Sequence, residues 1–411
     1  MSRFRNVKAL AAAAKSKYGK GTVSMGSNIV KSTRIPTGCM AMDVALGGGL
    51  PVGKPTIFYG DQSSGKTTTA TRIAGIAQKL CANCYRPIEA EVKSRIEDGE
   101  EEFYVDGQCS CYGEGLFKPV QYPGESKILF KERLKGYETN SFEEYRVAIV
   151  DAEGSIDPVW SETLGLDMRL VVYVRPDSAE EAMDIYDSLL RTGSVDMILL
   201  DSIAALTPSD EIQESKEKWQ QGLQARLVNK FCRTSVSSVN SIYREYGRRI
   251  TQVWINQTRQ KIGVMFGDPT TLPGGKGQRF AASVEVKLWS SQYEVDAIAE
   301  LPGKQKNINI AKRVRINFKV EKNKTAPPKG TGSYVMWLED GSIDEFPMVV
   351  SLCEKYGIIA KNSATDWRFR KQKFKTKKAL LLRLSRDKVL LRDTKADLVK
   401  RMIGGRNCAK I

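Results

Sequence analysis

The sequence predicts an α/β fold in which helices cover both faces of a mainly parallel sheet. Apolar runs typical of strands occur at 145–154, 170–176, 196–202 and 250–257, and helical patterns separate them. This alternation of strand and helix is typical of parallel sheets. One more apolar run, at 283–289, extends the pattern. We therefore expect most of the chain to form one large α/β domain.

A phosphate-binding loop is predicted where the pattern G-x-x-x-x-G-K-T lies between an apolar run and a helical pattern. In this setting backbone N–H groups surround a phosphate, and the following helix adds its positive N-terminal end. Lys66 would reach the β- and γ-phosphates, and the Thr67 hydroxyl would hold Mg²⁺. The alternative is a chance Gly- and Ser-rich loop. The predicted nucleotide contacts are Gly60, Asp61, Gln62, Ser63, Ser64, Gly65, Lys66, Thr67 and Thr68.

Three later strand-like runs end in polar residues that belong at the same edge of the sheet. Asp201 ends one run and is predicted to lie on the Mg²⁺ side. Glu153 follows Asp151 at the strand period of two, and it could deprotonate a water that attacks the γ-phosphate. A structural ion pair is the alternative for Glu153. Gln257 would sense the γ-phosphate or position water, or its amide would only satisfy backbone groups at the strand end.

Length and composition describe an ordinary globular chain. It has 411 residues, of which 41% are hydrophobic and 27% are charged. No apolar run approaches the roughly 18 residues that span a bilayer. The N-terminal segment lacks the apolar core and cleavage site of a signal peptide. We therefore expect a cytoplasmic protein with no membrane partner.

The charge of the chain favours a polyanionic partner. The formal net charge is +16, and residues 346–411 hold 18 Lys and Arg against 5 Asp and Glu. Trp367, Phe369 and Phe374 lie among these basic residues. Interleaved aromatic and basic residues favour nucleic-acid binding, whereas a solvated basic tail is the alternative.

An insertion at about 79–144 interrupts the α/β pattern and carries four cysteines in the spacing C-x2-C-x24-C-x-C. The chain contains no histidine, so a soft metal site has to use thiolates. Four thiolates can close a tetrahedral structural Zn²⁺ site, and four reduced surface cysteines are the alternative. The predicted zinc ligands are Cys81, Cys84, Cys109 and Cys111. The remaining cysteines, predicted to be packing residues, are Cys39, Cys232, Cys353 and Cys408.

The motifs and their order resemble the RecA-type recombinases of bacteria. The similar stretches include GDQSSGKTT, VDAEGSIDPVW, INQTRQKIGVMFGDPTTLPGG and VEKNKTAP, and the resemblance covers about residues 5–78 and 145–345. It implies a RecA-like P-loop core with a twisted mainly parallel sheet. Residues 1–31 would hold a helix and linker that dock on a neighbouring subunit. Residues 32–341 would form the core, and residues 342–411 a small basic α/β domain.

The resemblance also implies a function. Such a protein binds single-stranded DNA as a helical filament of its own subunits, with ATP between them, and pairs that strand with homologous duplex DNA. It is a DNA-dependent ATPase that uses ATP and Mg²⁺ in recombination and repair. Two alternatives stay open. One is a hexameric, helicase-like DNA-dependent ATPase, and the other is a filament that serves only as a scaffold for partner proteins.

Residues of the family's ATP site have matching positions in this sequence. Lys66 and Thr67 match the phosphate and Mg²⁺ contacts, Glu153 matches the catalytic carboxylate, and Asp201 matches the carboxylate on the Mg²⁺ side. Gln257 matches the switch between ATP and the DNA loop. Asp157 and Trp160 stand where the family contacts adenine, although tyrosine is usual at the second position. Lys322 and Lys324 match lysines that reach a neighbour's γ-phosphate, and an exposed basic turn is the alternative.

Two loops resemble the family's DNA contacts. The first spans 211–227, and the second spans 258–280. The second loop combines cations, glycines and an apolar tip, a combination that suits wedging between stacked bases. A mobile surface loop with a partly buried tip is the alternative. The predicted DNA contacts are Lys216, Lys218, Trp219, Arg226, Arg259, Lys261, Met265, Phe266, Gly274, Gly275, Lys276 and Arg279.

Overall fold

A computed structural model gives the fold of the chain. It describes residues 9–10, 12–14, 16–17, 33–80, 90–97, 100–107, 115–117, 145–213, 222–260, 270–299, 308–363, 365–370 and 372–403. The described residues before position 33 are helical, and they lie in the segment where the sequence predicts a leading helix.

Strands and helices alternate through the core. The strands are β1 (Arg34–Ile35), β2 (Leu50–Pro51), β3 (Pro55–Gly60), β4 (Ala90–Glu97), β5 (Glu100–Gly107), β6 (Gly115–Phe117), β7 (Val147–Asp151), β8 (Val171–Val174), β9 (Met197–Asp201), β10 (Thr251–Gln257), β11 (Arg259–Gln260), β12 (Thr270–Thr271), β13 (Val284–Ala299), β14 (Ile308–Asn323), β15 (Thr331–Trp337), β16 (Ile359–Ser363), β17 (Asp366–Phe369) and β18 (Gln372–Phe374). The helices are α1 (Met40–Leu46), α2 (Lys66–Ala77), α3 (Pro158–Thr163), α4 (Ala179–Thr192), α5 (Ser209–Gln213), α6 (Leu223–Tyr246), α7 (Gly277–Ala281), α8 (Phe346–Lys355), α9 (Lys377–Arg386) and α10 (Lys388–Ile403). Among the described residues, Met168–Leu170 and Ile203–Ala205 form 3₁₀ turns.

An eight-stranded sheet in the order β15-β14-β13-β3-β10-β9-β7-β8 lies at the centre of the core. The six strands from β13 to β8 run parallel to one another. The other two strands continue the sheet antiparallel, because β14 pairs with β13 and β15 pairs with β14. The mainly parallel sheet predicted from the sequence is confirmed.

Helices bury both faces of this sheet. Strands β3, β7 and β9 are buried along their whole length, as near-continuous apolar strands of parallel sheets are. On one face the core includes residues of α1 and α2, such as Met42 and Ile73. On the other face it includes residues of α4 and α6, such as Tyr186 and Phe231. The carboxyl ends of β3, β7, β9 and β10 therefore share one edge, and the candidate site lies there.

The predicted insertion contains structure that its sequence pattern did not reveal. Strands β4, β5 and β6 form a three-stranded antiparallel sheet. The four cysteines of the zinc prediction lie outside the described residues, so that prediction stays untested. Within the described ranges, no group of three or more Cys, Asp or Glu residues could hold a metal ion.

The region after β15 has its own apolar cluster. Residues of α8, α9 and α10 pack with the sheet β16-β17-β18 around Trp367 and Phe369, and Met40 of α1 joins them. This is the segment in which the sequence predicts a small basic domain. Among the described residues, every helix is too short or too polar to cross a membrane.

Asp43 is a buried carboxylate of α1 that faces the cluster after β15. It accepts a hydrogen bond from the Thr37 N–H at 2.7 Å. Burial raises the pKa of Asp43 to about 7, and the charge of Glu345 adds to the rise. Lys395, which pairs with Glu345, acts in the opposite direction.

Asp43→Asn is expected to flatten the pH dependence of stability. The folded-state pKa of about 7 lies above the unfolded value, so folded protein binds the proton more tightly, and stability is lost as pH rises through 7. Relative to the variant, the wild type should lose about 2 to 4 kcal/mol of unfolding free energy between pH 5 and pH 8. Denaturant unfolding of both proteins at the two pH values measures this, and parallel pH profiles would contradict it.

Candidate functional site

The phosphate loop connects β3 to α2 at the carboxyl edge of the sheet. At Gly60, a Cβ atom would lie 2.0 Å from the carbonyl oxygen of Leu288 on the neighbouring strand. Gly65 has a φ of +82°, and a Cβ there would lie 2.6 Å from Ile316 Cδ1. Both glycines of the motif are therefore required by close packing and, at Gly65, by a left-handed backbone.

Lys66 is the buried cation of this loop, with 7% of its surface exposed. Its Nζ donates hydrogen bonds to the Asp61 carbonyl oxygen at 2.6 Å and to Ser64 Oγ at 3.2 Å. Burial lowers the pKa of Lys66, whereas the nearby carboxylates of Asp201, Glu153 and Asp61 raise it. The ammonium group thus lies partly desolvated at the helix N-terminus, an environment that favours an anion.

Thr67 and Asp201 form the pair expected of a Mg²⁺ site. Thr67 Oγ1 donates to Asp201 Oδ2 at 2.6 Å, and Asp201 is only 2% exposed. Burial raises the pKa of Asp201 to about 7, and Glu153 and Asp151 add to the rise. Asp201 Oδ1 has no hydrogen-bond partner within the part of the chain that the structure describes. A hard divalent cation would satisfy that oxygen and favour the ionised form, so these residues fit Mg²⁺.

Glu153 and Gln257 meet beside this pair. Glu153 Oε1 accepts hydrogen bonds from Gln257 Nε2 at 2.6 Å and from Ser202 Oγ at 2.5 Å. Glu153 is exposed, so its carboxylate is reachable by water. Its described bonds come from neutral donors, and they hold it in place while leaving it able to accept a proton.

The turn that carries Glu153 is fixed by the buried carboxylate of Asp151. Asp151 accepts hydrogen bonds from the N–H groups of Gly154 and Ile156 at 2.8 and 3.0 Å, and from the Tyr173 hydroxyl at 2.9 Å. The sequence placed Asp151 at the sheet edge without assigning it this task. The available signal was a buried strand that ends in Asp before a glycine turn.

The residues predicted to contact adenine begin α3. Asp157 caps the helix by accepting a hydrogen bond from the Trp160 N–H at 2.6 Å, and Pro158 occupies the first turn. The Trp160 side chain is partly buried against the core of that face. The described contacts give Asp157 a structural task and leave the adenine role a prediction.

The sequence reasoning missed two residues near the end of β10, one that bonds to the second predicted DNA loop and one that bonds to the phosphate loop. Asn256 is fully buried and donates to Gln278 Oε1 at 2.6 Å and to the Pro273 carbonyl oxygen at 3.1 Å. Thr258 Oγ1 donates to Asp61 Oδ1. The run of polar residues after an apolar strand was the only local signal.

The predicted DNA contacts divide by position. Arg226 lies in the first turn of α6, and Arg259 and Lys276 are exposed. Gly274 and Gly275 have φ values of +80° and +76°, so left-handed backbone conformation is one reason for glycine at both. The predicted contacts that lie outside the described residues are Lys216, Lys218, Trp219, Lys261, Met265 and Phe266.

The two lysines predicted to act on a neighbour lie at the end of β14 and just after it, beside the first residues of β13. Lys322 Nζ is 3.4 Å from Glu285 Oε1 and donates to the Arg279 carbonyl oxygen. Lys324 Nζ donates to the Phe280 carbonyl oxygen at 3.1 Å. Arg279, predicted as a DNA contact, places its Nε 3.0 Å from Glu285 Oε2. Both lysines are therefore hydrogen-bonded to carbonyl oxygens of α7, whereas the lysines of an exposed basic turn would need no such partners.

Comparison with known proteins decides the family. The family model described as the RecA N-terminal domain matches residues 5–93 and 140–341. The chain is 32% identical to Protein RecA of Clostridium acetobutylicum over 84% of this chain and 77% of that protein. It is 31% identical to Protein RecA of Agrobacterium fabrum over 84% of this chain and 74% of that protein. The chain belongs to the RecA family.

As a RecA-family member, the protein is an ATP-dependent recombinase that binds DNA and forms filaments. Nothing in the comparisons favours the hexameric helicase. Residues 94–139, which the RecA model does not match, lie inside the predicted insertion and include β5 and β6. The phosphate loop and the strand ends described above all fall within the matched segments.

Proposed function

We propose that this recombinase hydrolyses ATP with Mg²⁺ at the phosphate loop while its subunits form a filament on single-stranded DNA, and that the filament then pairs the strand with homologous duplex in the cytoplasm. One observation carries the proposal. Lys66, Thr67, Glu153, Asp201 and Gln257 come from four separate segments that meet at one edge of the sheet, where Thr67 is hydrogen-bonded to Asp201 and Gln257 to Glu153.

Each residue has a task that its surroundings support. Lys66 would bind the β- and γ-phosphates, and Thr67 and Asp201 would hold Mg²⁺. A bound Mg²⁺ ion supplies charge neutralisation on the phosphates. Glu153 would orient the attacking water and accept its proton, since it is exposed and hydrogen-bonded by neutral groups. Gln257 would report the state of the nucleotide to the second DNA loop through β10.

Lys322 and Lys324 would complete the site of the neighbouring subunit. Glu285, which contacts Lys322, pairs with Ile57 of β3, whereas the phosphate loop begins at Gly60. Three residues of strand span about 10 Å. The Lys322 ammonium is also held toward α7, so the geometry favours action in trans, as an arginine finger acts. Hydrolysis would then require assembled subunits.

Imaging with single-stranded DNA and a slowly hydrolysed ATP analogue tests the assembly. We expect open helical filaments in negative stain, because each subunit would donate its lysines to the next one along the strand. Omitting the nucleotide is the control and should reduce filament length. Closed rings under the same conditions would contradict the proposal and favour a helicase-like ATPase.

A further inference from the structure

We propose that Glu285 is a positioning residue that holds Lys322 on its own subunit until a neighbour's triphosphate displaces it. The inference rests on the proposed trans action of Lys322 and adds a competitor for that lysine. Glu285 would thereby restrain hydrolysis in the absence of DNA and favour ATP over ADP at the subunit boundary.

Glu285 is a buried carboxylate between two cations. It is 3% exposed, and a buried carboxylate is costly unless it has a charged or hydrogen-bonding partner. Arg279 Nε lies 3.0 Å from Oε2, and Lys322 Nζ lies 3.4 Å from Oε1. Each cation thus has its own oxygen of the carboxylate.

The two cations are not equivalent. Arg279 makes a hydrogen bond to Glu285, whereas the 3.4 Å separation of Lys322 is long for a bond to a carboxylate. If Lys322 leaves, Arg279 keeps Glu285 paired, so departure does not strand a buried charge. Lys322 has 28% of its side chain exposed and is therefore accessible to an incoming phosphate.

The arrangement also restricts which nucleotide can release the lysine. Lys322 is held by the Glu285 carboxylate and by the Arg279 carbonyl oxygen, and both contacts have to be replaced. A γ-phosphate carries the charge and the acceptor oxygens to replace them, and charge-assisted bonds to phosphate are strong. A diphosphate leaves the γ position empty, so Lys322 would return to Glu285 after hydrolysis and weaken the boundary.

The register of the sheet makes this a fixed feature of the subunit. Glu285 and Lys322 are paired residues of the antiparallel strands β13 and β14. Arg279 belongs to α7, which ends the second predicted DNA loop. One carboxylate therefore connects the lysine that would face a neighbour's nucleotide to the helix that follows the DNA loop.

Glu285→Gln removes the competing charge and preserves the shape of the side chain. We expect ATP turnover without DNA to rise by about five- to tenfold, because removing the charge interaction between Glu285 and Lys322 lowers the activation free energy of hydrolysis. Filaments formed with ADP should also withstand higher salt. The rise must depend on Lys322, so Glu285→Gln combined with Lys322→Gln should behave as Lys322→Gln alone.

Matched variants separate this effect from general disturbance. Glu321→Gln is the control, because Glu321 is a carboxylate of β14, the strand that carries Lys322, and it pairs with Lys319 instead. If Glu285→Gln fails to fold, Glu285→Asp shortens the side chain and should give a smaller rise. A folded Glu285 variant with unchanged or lower DNA-free turnover overturns the proposal. DNA-stimulated turnover that survives Lys322→Gln would instead overturn the trans role itself.

Discussion

Lys66→Ala is expected to lower DNA-stimulated ATP turnover by at least about 10³-fold, because charge stabilisation of this kind dominates phosphoryl transfer. Lys66 is a buried ammonium at the N-terminus of α2, bonded to loop oxygens of Asp61 and Ser64. An alanine leaves no cation at that position of the loop. Phosphate release at saturating single-stranded DNA measures the loss.

Lys54→Ala is the matched control for this variant. Lys54 is an exposed lysine in the turn before β3, so its removal changes the charge by the same amount without touching the loop. We expect the control to retain wild-type turnover, and circular dichroism should show both variants folded. DNA-stimulated hydrolysis by folded Lys66→Ala would move the ATP site elsewhere.

The sequence contained much of the fold and of the ATP site because the relevant signals are local. A buried apolar strand followed by a glycine turn predicts a phosphate loop at Gly60 and Lys66 without information from the rest of the chain. Strand runs that end in Asp201, Glu153 and Gln257 reach the same edge once the sheet is parallel. The described contacts of these residues agree with that reasoning.

The features that sequence reasoning missed depend on pairing between distant segments. Glu285 reads as one polar residue of an alternating strand, and nothing local indicates that Lys322 lies opposite it. That contact is set by the β13–β14 register, and the Arg279 contact by where α7 packs. The hydrogen bonds of Asn256 and Thr258 likewise go to residues that are distant from them in sequence, Gln278 and Asp61. The sheet of the insertion was missed because only β4 alternates apolar and charged residues, whereas β5 begins with three acidic residues and lacks such alternation.

Glu153→Gln is expected to separate assembly from chemistry. The amide keeps the size of the side chain and an oxygen that can accept from Ser202 and Gln257, so the local geometry should survive. It cannot take a proton from water, so hydrolysis should fall by about 10² to 10⁴, the usual contribution of a general base. Filaments on single-stranded DNA should still form with ATP and should persist longer than those of the wild type.

Two measurements on the same preparation decide the outcome for Glu153→Gln. Phosphate release reports chemistry, and negative-stain imaging over time reports assembly. Glu162→Gln serves as the control, because Glu162 is an exposed carboxylate of nearby α3 and has no assigned part in the site. Normal hydrolysis by Glu153→Gln would exclude Glu153 as the base. Loss of filaments together with hydrolysis would show that Glu153 is needed to form the nucleotide-bound boundary, and would contradict its assignment to the chemical step alone.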